Sequence, residues 1–290
     1  MAAEGAGRAG GRLRALLRER FSDLGPRIVT AFSFGIVAAA CLVAGGVLAA
    51  GLVALVAVAL AYEWRAMTAH GGGACGWRDA AFVGAPPLAV AVSYFAGADP
   101  AFLLLGAGAA LGAALDLAAG RREAAAWGAG GAVLIGVATT AFLWLRETDP
   151  YGVLASVWIV LVVMATDVGG YFAGRLIGGP KLWPKVSPKK TWSGLGGAVG
   201  LAALTGGLFS WATTGTYFDE VCTVSAAAAL LAQLGDLGES AVKRRFGVKD
   251  SGRLLPGHGG ALDRFDGLMA ATLVVAAVTL WRGQTVFIWS

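Results

Sequence analysis

A chain of 290 residues that is 57% hydrophobic and 14% charged, with a mean hydropathy of +0.69, is too apolar to be one or two soluble domains. Its three cysteines (Cys41, Cys75, Cys222) are scattered without a C-x-x-C pair, which argues against a disulfide or thiolate-metal framework. The net charge of +5 is modest, and no nucleic-acid polymer is expected as a partner.

About 18 apolar residues cross a bilayer as a helix, because the hydrocarbon is roughly 30 Å thick and a helix rises about 1.5 Å per residue. The apolar runs here are continuous, whereas strands of a membrane barrel would alternate. The expectation is an all-α polytopic membrane protein.

In chain order, residues 1–27 are read as a basic tail and are not expected to be a cleaved signal peptide. Within it, RLRALLRERF reads either as an amphipathic helix on anionic lipid or as a solvated, orienting tail. Nine spans follow, at about 28–44, 47–62, 81–97, 101–118, 128–145, 153–174, 195–213, 221–238 and 267–281. Gly- and Pro-bearing breaks such as Gly45-Gly46, GADP and RETDPY separate them. Residues 28–152 are read as an N-terminal membrane region. Residues 153–290 are read as the catalytic one, with polar loops at 175–194 and 239–266.

With the N-terminus inside, 21 of the 23 Lys and Arg residues fall on one side, and only Arg146 and Arg282 fall on the other. That asymmetry places both polar loops on the cytoplasmic face of a cell membrane, where they can build one site at the helix ends. His70 has no evident partner and is assigned no role.

The first polar region, ATDVGGYFAGRLIGGPKLWPKVSPKKTWSG (165–194), starts inside a span. Asp167 is therefore a functional candidate, since a carboxylate in hydrocarbon is costly. Asp167, Tyr171 and Gly174 share a helix face. Beyond them, Lys189 and Lys190 with the hydroxyls of Ser187 and Thr191 suit phosphate binding, although such lysines could equally enforce topology. No P-loop pattern occurs.

The second region, GDLGESAVKRRFGVKDSGRLLPGHGGALDRFDG (235–267), puts Asp236, Glu239, Ser240 and Lys243 on one helical stripe. Asp263 and Asp266 stand at the mouth of the last span. Three carboxylates, Asp236, Asp263 and Asp266, form a hard-oxygen set suited to Mg²⁺, and Asp167 could orient a lysine or hold a second cation. Gly257, Gly259 and Gly260 allow close backbone approach to a ligand. His258 is placed to donate to a phosphate or nucleotide. Lys249 and Arg264 complete the candidate binding groups, with Arg264 also a partner for the acids.

The stretch from Ser240 to Asp266, SAVKRRFGVKDSGRLLPGHGGALDRFD, resembles the signature of the phosphatidate cytidylyltransferases (CDP-diacylglycerol synthases). KVSPKKTWSGLGG (185–197), PRIVTA (26–31) and YEW (62–64) are weaker matches. The resemblance implies CTP + phosphatidate → CDP-diacylglycerol + pyrophosphate, in phospholipid biosynthesis. It also implies Mg²⁺ on Asp236, Asp263 and Asp266, and phosphate handling by Ser187, Lys189, Lys190 and Lys243. Catalytic roles then fall to Lys190, Lys243 and Asp167, and the expected partners are CTP, phosphatidic acid in the bilayer and a second copy of the chain. The family usually has Glu after the Thr-Trp pair, where this chain has Ser193. A CTP-dependent polyprenol or lipid kinase, or a transporter, would also place polar groups within such helices.

Overall fold

The computed structural model describes residues 35–252, 254 and 259–289. The basic tail, the start of the first expected span and His258 with Gly257 lie outside them. Nine helices occur among the described residues, and eight are long and apolar enough to cross a membrane. They are α1 (Gly35–Ala44), α2 (Gly46–His70), α3 (Ala80–Ala96), α4 (Ala98–Ala118), α5 (Arg122–Glu147), α6 (Gly152–Leu176), α7 (Trp192–Thr214), α8 (Phe218–Arg245) and α9 (Leu262–Arg282). The chain is thus a multi-pass membrane protein. α1 is the short one, with ten residues between 35 and 44.

Two of the expected loops prove to be largely regular structure. Residues 175–194 contain a hairpin of β1 (Lys181–Trp183) and β2 (Ser187–Thr191), antiparallel with Trp183 opposite Ser187 and Lys181 opposite Thr191. Residues 239–266 begin as helix, because α8 runs on to Arg245, and end as helix from Leu262. Hydropathy marks only the lipid-embedded part of a helix. The polar extension GESAVKRR still holds five good helix formers (Glu239, Ala241, Lys243, Arg244, Arg245) and closes an i,i+4 pair between Glu239 and Lys243.

Helix packing relies on small residues. In lipid, association is driven by close van der Waals contact, so backbones must approach. A Cβ on Gly169 of α6 would lie 2.4 Å from the Gly197 carbonyl oxygen, and one on Gly197 of α7 would lie 2.2 Å from the Ala173 Cβ. Gly196 and Gly200, by contrast, meet nothing within 4 Å and face away from the bundle. Large apolar side chains such as Leu103 and Trp281 also point outward, as expected of a surface that meets lipid tails.

The main core joins α6, α7, α8 and α9 around Trp158, Ile159 and Val275, and the segment after α9 inserts Phe287 into it. A second core joins the halves of the chain: Leu60, Trp64 and Met67 of α2 and Ile135 of α5 pack on Ala261 and Leu262.

Several charges counted above for topology have structural partners. Arg65 is 1% exposed. It binds Asp79 at 2.6 Å, Asp116 at 2.5 Å and the Ala124 carbonyl at 2.7 Å, and lies over the Phe82 ring. Arg121 closes on the other oxygen of Asp116. His70, expected to be alone, meets Asp79 at 2.9 Å. The two basic residues on the minority side also bind carbonyls. Arg146 donates to Leu42 and Val43 at the end of α1, and Arg282 donates to Thr285 and Ile288. All three cysteines are free thiols. Burial pushes the thiol of Cys75, in the turn after α2, up to about 11, so it stays protonated in neutral solution.

Gly197→Val should wedge α6 from α7. The expected cost is about 1–3 kcal/mol or more, read as a lower melting temperature in detergent, whereas Gly200→Val on the outward face should melt like the parent chain.

Candidate active site at the helix ends

Three elements bring the polar candidates together: α8, the mouth of α9, and the hairpin between α6 and α7. On α8, helical spacing lines up Asp236, Glu239, Ser240 and Lys243, as expected from the sequence. The Ser240 hydroxyl donates to Asp236 at 3.4 Å. From β2, Lys190 reaches α8, with its Nζ 2.6 Å from Asp236 Oδ2 and 3.2 Å from the Gln233 carbonyl oxygen. Lys243 Nζ lies between two acids, 2.6 Å from Glu239 and 2.8 Å from Asp263.

One carboxylate oxygen from each of Asp236, Glu239 and Asp266 lies within 4.8 Å of the other two. This grouping includes Glu239, whereas the sequence reading put Asp263 with Asp236 and Asp266. The reason is local: Asp263 accepts from Lys243 and from the Ser251 and Gly260 amides. No hydrogen-bond donor reaches Glu239 Oε1, which is shut off from solvent. A buried carboxyl oxygen without a donor, beside two more carboxyl groups, fits a hard divalent cation.

A cleft of about 390 Å³ opens beside this cluster. Asp167, Tyr171 and Gly174 line it from α6, Lys189 and Lys190 from β2, and Gln233 from α8. Asp167 is not covered by protein, and the charges that act on it are Asp236, Lys190 and Arg264. Gly174 leaves the cleft its width, since a Cβ there would come 3.0 Å from Thr191 Oγ1.

Other candidates are placed differently. Thr191 is buried and caps α7, its Oγ1 accepting from the Gly194 amide at 3.1 Å. Ser193, where the related family has Glu, donates to the Gly178 carbonyl and ties the hairpin entry to α7. Ser187 pairs with Trp183 in the hairpin, and Lys249 is exposed on the turn after α8; neither lines the cleft. Gly259 has φ 86°, a conformation that glycine adopts freely. Gly260 is small for a different reason than ligand approach: a Cβ there would meet Ser251 Oγ at 2.0 Å and Glu63 Oε2 at 2.7 Å.

Residues 25–281 match the cytidylyltransferase family. The chain belongs to that family. A protein of Brucella melitensis named phosphatidate cytidylyltransferase is 38% identical over 265 residues, covering 88% of this chain and 92% of its own length. Proteins of the same name from Bacillus subtilis and Staphylococcus saprophyticus are 40% and 43% identical over shorter stretches, 48% and 44% of this chain and 52% and 50% of their own. This cytidylyltransferase is therefore a nucleotidyl-transferring enzyme.

Three residues in or behind this cluster escaped the sequence reading in whole or part. Glu239 appeared only as part of a stripe, and Gln233 did not appear. Glu63 appeared only within the YEW match. In the fold it is 1% exposed and bonded to the segment leading into α9. The signal that singled out Asp167, a charge inside an apolar span, did not reach them: the expected spans end at 62 and 238, and Gln233 carries no charge.

Lys243 and Arg245 offer a matched comparison on one helix. Lys243→Met strands a buried and a partly buried acid and should cost about 3–5 kcal/mol of stability. Arg245→Ala, which opens the exposed pair with Glu123, should cost under about 1 kcal/mol. Thermal unfolding of the two variants in detergent checks the difference.

Proposed function

We propose that this chain is a phosphatidate cytidylyltransferase, joining CMP from CTP to a membrane-held phosphatidate and releasing pyrophosphate. The observation that supports it best is the meeting of Asp236, Glu239 and Asp266 with Lys190 and Lys243 at the ends of membrane helices. Both substrates are polyanions, one water-borne and one lipid-borne. A site at the membrane boundary serves each without moving acyl chains out of the bilayer. The charge asymmetry of Lys and Arg supports a cytoplasmic orientation for this end, where CTP is found.

In this reading Asp236, Glu239 and Asp266 hold Mg²⁺, and Asp263 stands next to them through its shared partner Lys243. Bound there, the cation would neutralise triphosphate oxygens and favour the leaving pyrophosphate. The remaining work belongs to the chain. Lys190 and Lys243 exchange their carboxylate partners for phosphate oxygens once the acids are occupied. Lys189, exposed at the cleft, steers the incoming anions. The α6 wall with Asp167, Tyr171 and Gly174 orients the lipid phosphate toward the α-phosphorus of CTP.

A phosphate monoester is largely dianionic near neutrality, its second pKa being about 6. Attack thus requires positioning and charge neutralisation more than a general base. The oxygen–phosphorus bond to the lipid forms as the α–β phosphoanhydride bond breaks, and pyrophosphate carries away the electron pair.

Incubation of the purified chain with phosphatidate and CTP labelled at the α- or γ-phosphate tests the reading. Label should enter lipid from the α-position only. Label from the γ-position would identify a kinase, and no label in lipid would remove the transferase reading.

Cation binding can be followed separately by Mn²⁺ paramagnetic resonance without substrates. Asp236→Asn and Asp266→Asn should each weaken Mn²⁺ binding at least about tenfold, and an unchanged affinity in both would overturn the metal assignment.

A further inference from the structure

Glu63 is a buried carboxylate that the transfer chemistry leaves without a task. It lies in α2, far in sequence from the site, and the hydrogen bonds described for it all land on the chain that enters α9. Its Oε2 accepts from the Ser251 hydroxyl and from the Leu262 amide, each at 2.9 Å, and its Oε1 accepts from the Leu254 amide at 3.4 Å.

Two observations give these bonds direction. First, α9 begins without a side-chain cap of its own, since Ala261 stands at the N-cap position. The Leu262 amide would be an orphan at the helix start, and the carboxylate of α2 takes it, with a negative charge where the helix dipole favours one. Second, the flanking chain is shaped around this carboxylate. A Cβ on Gly252 would lie 2.3 Å from Oε1, and one on Gly260 2.7 Å from Oε2. Larger residues at either position would collide with Glu63.

The same backbone reaches the reacting groups in one further step. The Ser251 amide donates to both oxygens of Asp263, at 3.2 and 3.3 Å, and the Gly260 amide donates to Oδ2 at 3.3 Å. Asp263 in turn holds Lys243 at 2.8 Å. Each link from α2 to Lys243 is a direct hydrogen bond.

We propose that Glu63 is a positioning residue for nucleotidyl transfer, capping α9 from another helix and setting the directions of Asp263, Asp266 and Lys243. The proposal rests on reading this cluster as the cytidylyl-transfer centre, and its test separates the two ideas.

The full chain in detergent is compared as wild type, Glu63→Gln, Ser251→Ala and Met67→Ala. Met67 is wholly buried on the same helix, so its truncation supplies a purely structural loss. In Glu63→Gln the Leu254 and Leu262 amides should exchange with solvent about tenfold faster. Its kcat should fall about 100-fold, with KM for CTP within about threefold of wild type. Ser251→Ala should give a smaller kcat loss that does not add to that of Glu63→Gln.

Wild-type exchange at those amides in Glu63→Gln would overturn the proposal. So would an equal kcat loss in Met67→Ala at a matched melting temperature. If the wild-type chain transfers no label from CTP, the functional reading falls, while the exchange measurement still decides whether Glu63 holds this segment.

Discussion

Lys243 sits between Glu239 and Asp263, and Lys190 holds Asp236; the site depends on these ammonium–carboxylate contacts. Charges at the edge of a hydrocarbon layer must be paired, because a lone buried ion costs several kcal/mol. Here the pairing also fixes geometry. Lys243 joins the end of α8 to the start of α9, and Lys190 pins the hairpin to α8. Acids able to hold a cation and lysines able to hold phosphates are kept paired with one another, in positions where both kinds of ligand can be taken.

The rest of the bundle serves that arrangement by two means suited to lipid. Where helices must come close, glycine removes the side chain, as at Gly169 and Gly197 between α6 and α7. Where they must be held in register, polar groups are buried as closed sets. Arg65 gathers Asp79, Asp116 and the Ala124 carbonyl at one such point, and Glu63 gathers the entry to α9 at another. Between them, Trp64 donates to the Trp127 carbonyl, and Trp127 stacks edge-on with Phe246 just past α8. The N-terminal helices thus brace the helix ends that carry the acids and lysines.

Membrane character, helix number and the grouping of polar residues were legible in the sequence because each follows from local rules. A run of apolar residues has to be a helix in lipid, whatever its neighbours. The helical repeat alone put Asp236, Glu239, Ser240 and Lys243 on one stripe, and Asp167 with Tyr171 and Gly174 on one face. The hairpin was not legible: hydropathy sees only polarity in KLWPKVSPKKT, and strand pairing depends on the partner strand. Nor was the end of α8, because a helix that leaves the hydrocarbon keeps its backbone pattern while losing its apolar signature.

The division between sequence and fold is sharpest at the acids. The sequence by itself determined that a multi-pass helical protein would carry most of its carboxylates and lysines near helix ends, since a charge within hydrocarbon is costly. Only the tertiary structure decided which of them meet. Asp263 is three residues from Asp266, yet it is bonded to Lys243 and two backbone amides, and Glu239 is the acid that comes within 4.8 Å of Asp236 and Asp266. Glu63 and Leu262 are 199 residues apart and 2.9 Å from contact to contact. Partners like these are chosen by the crossing of helices in space, and no local pattern in the chain encodes that crossing.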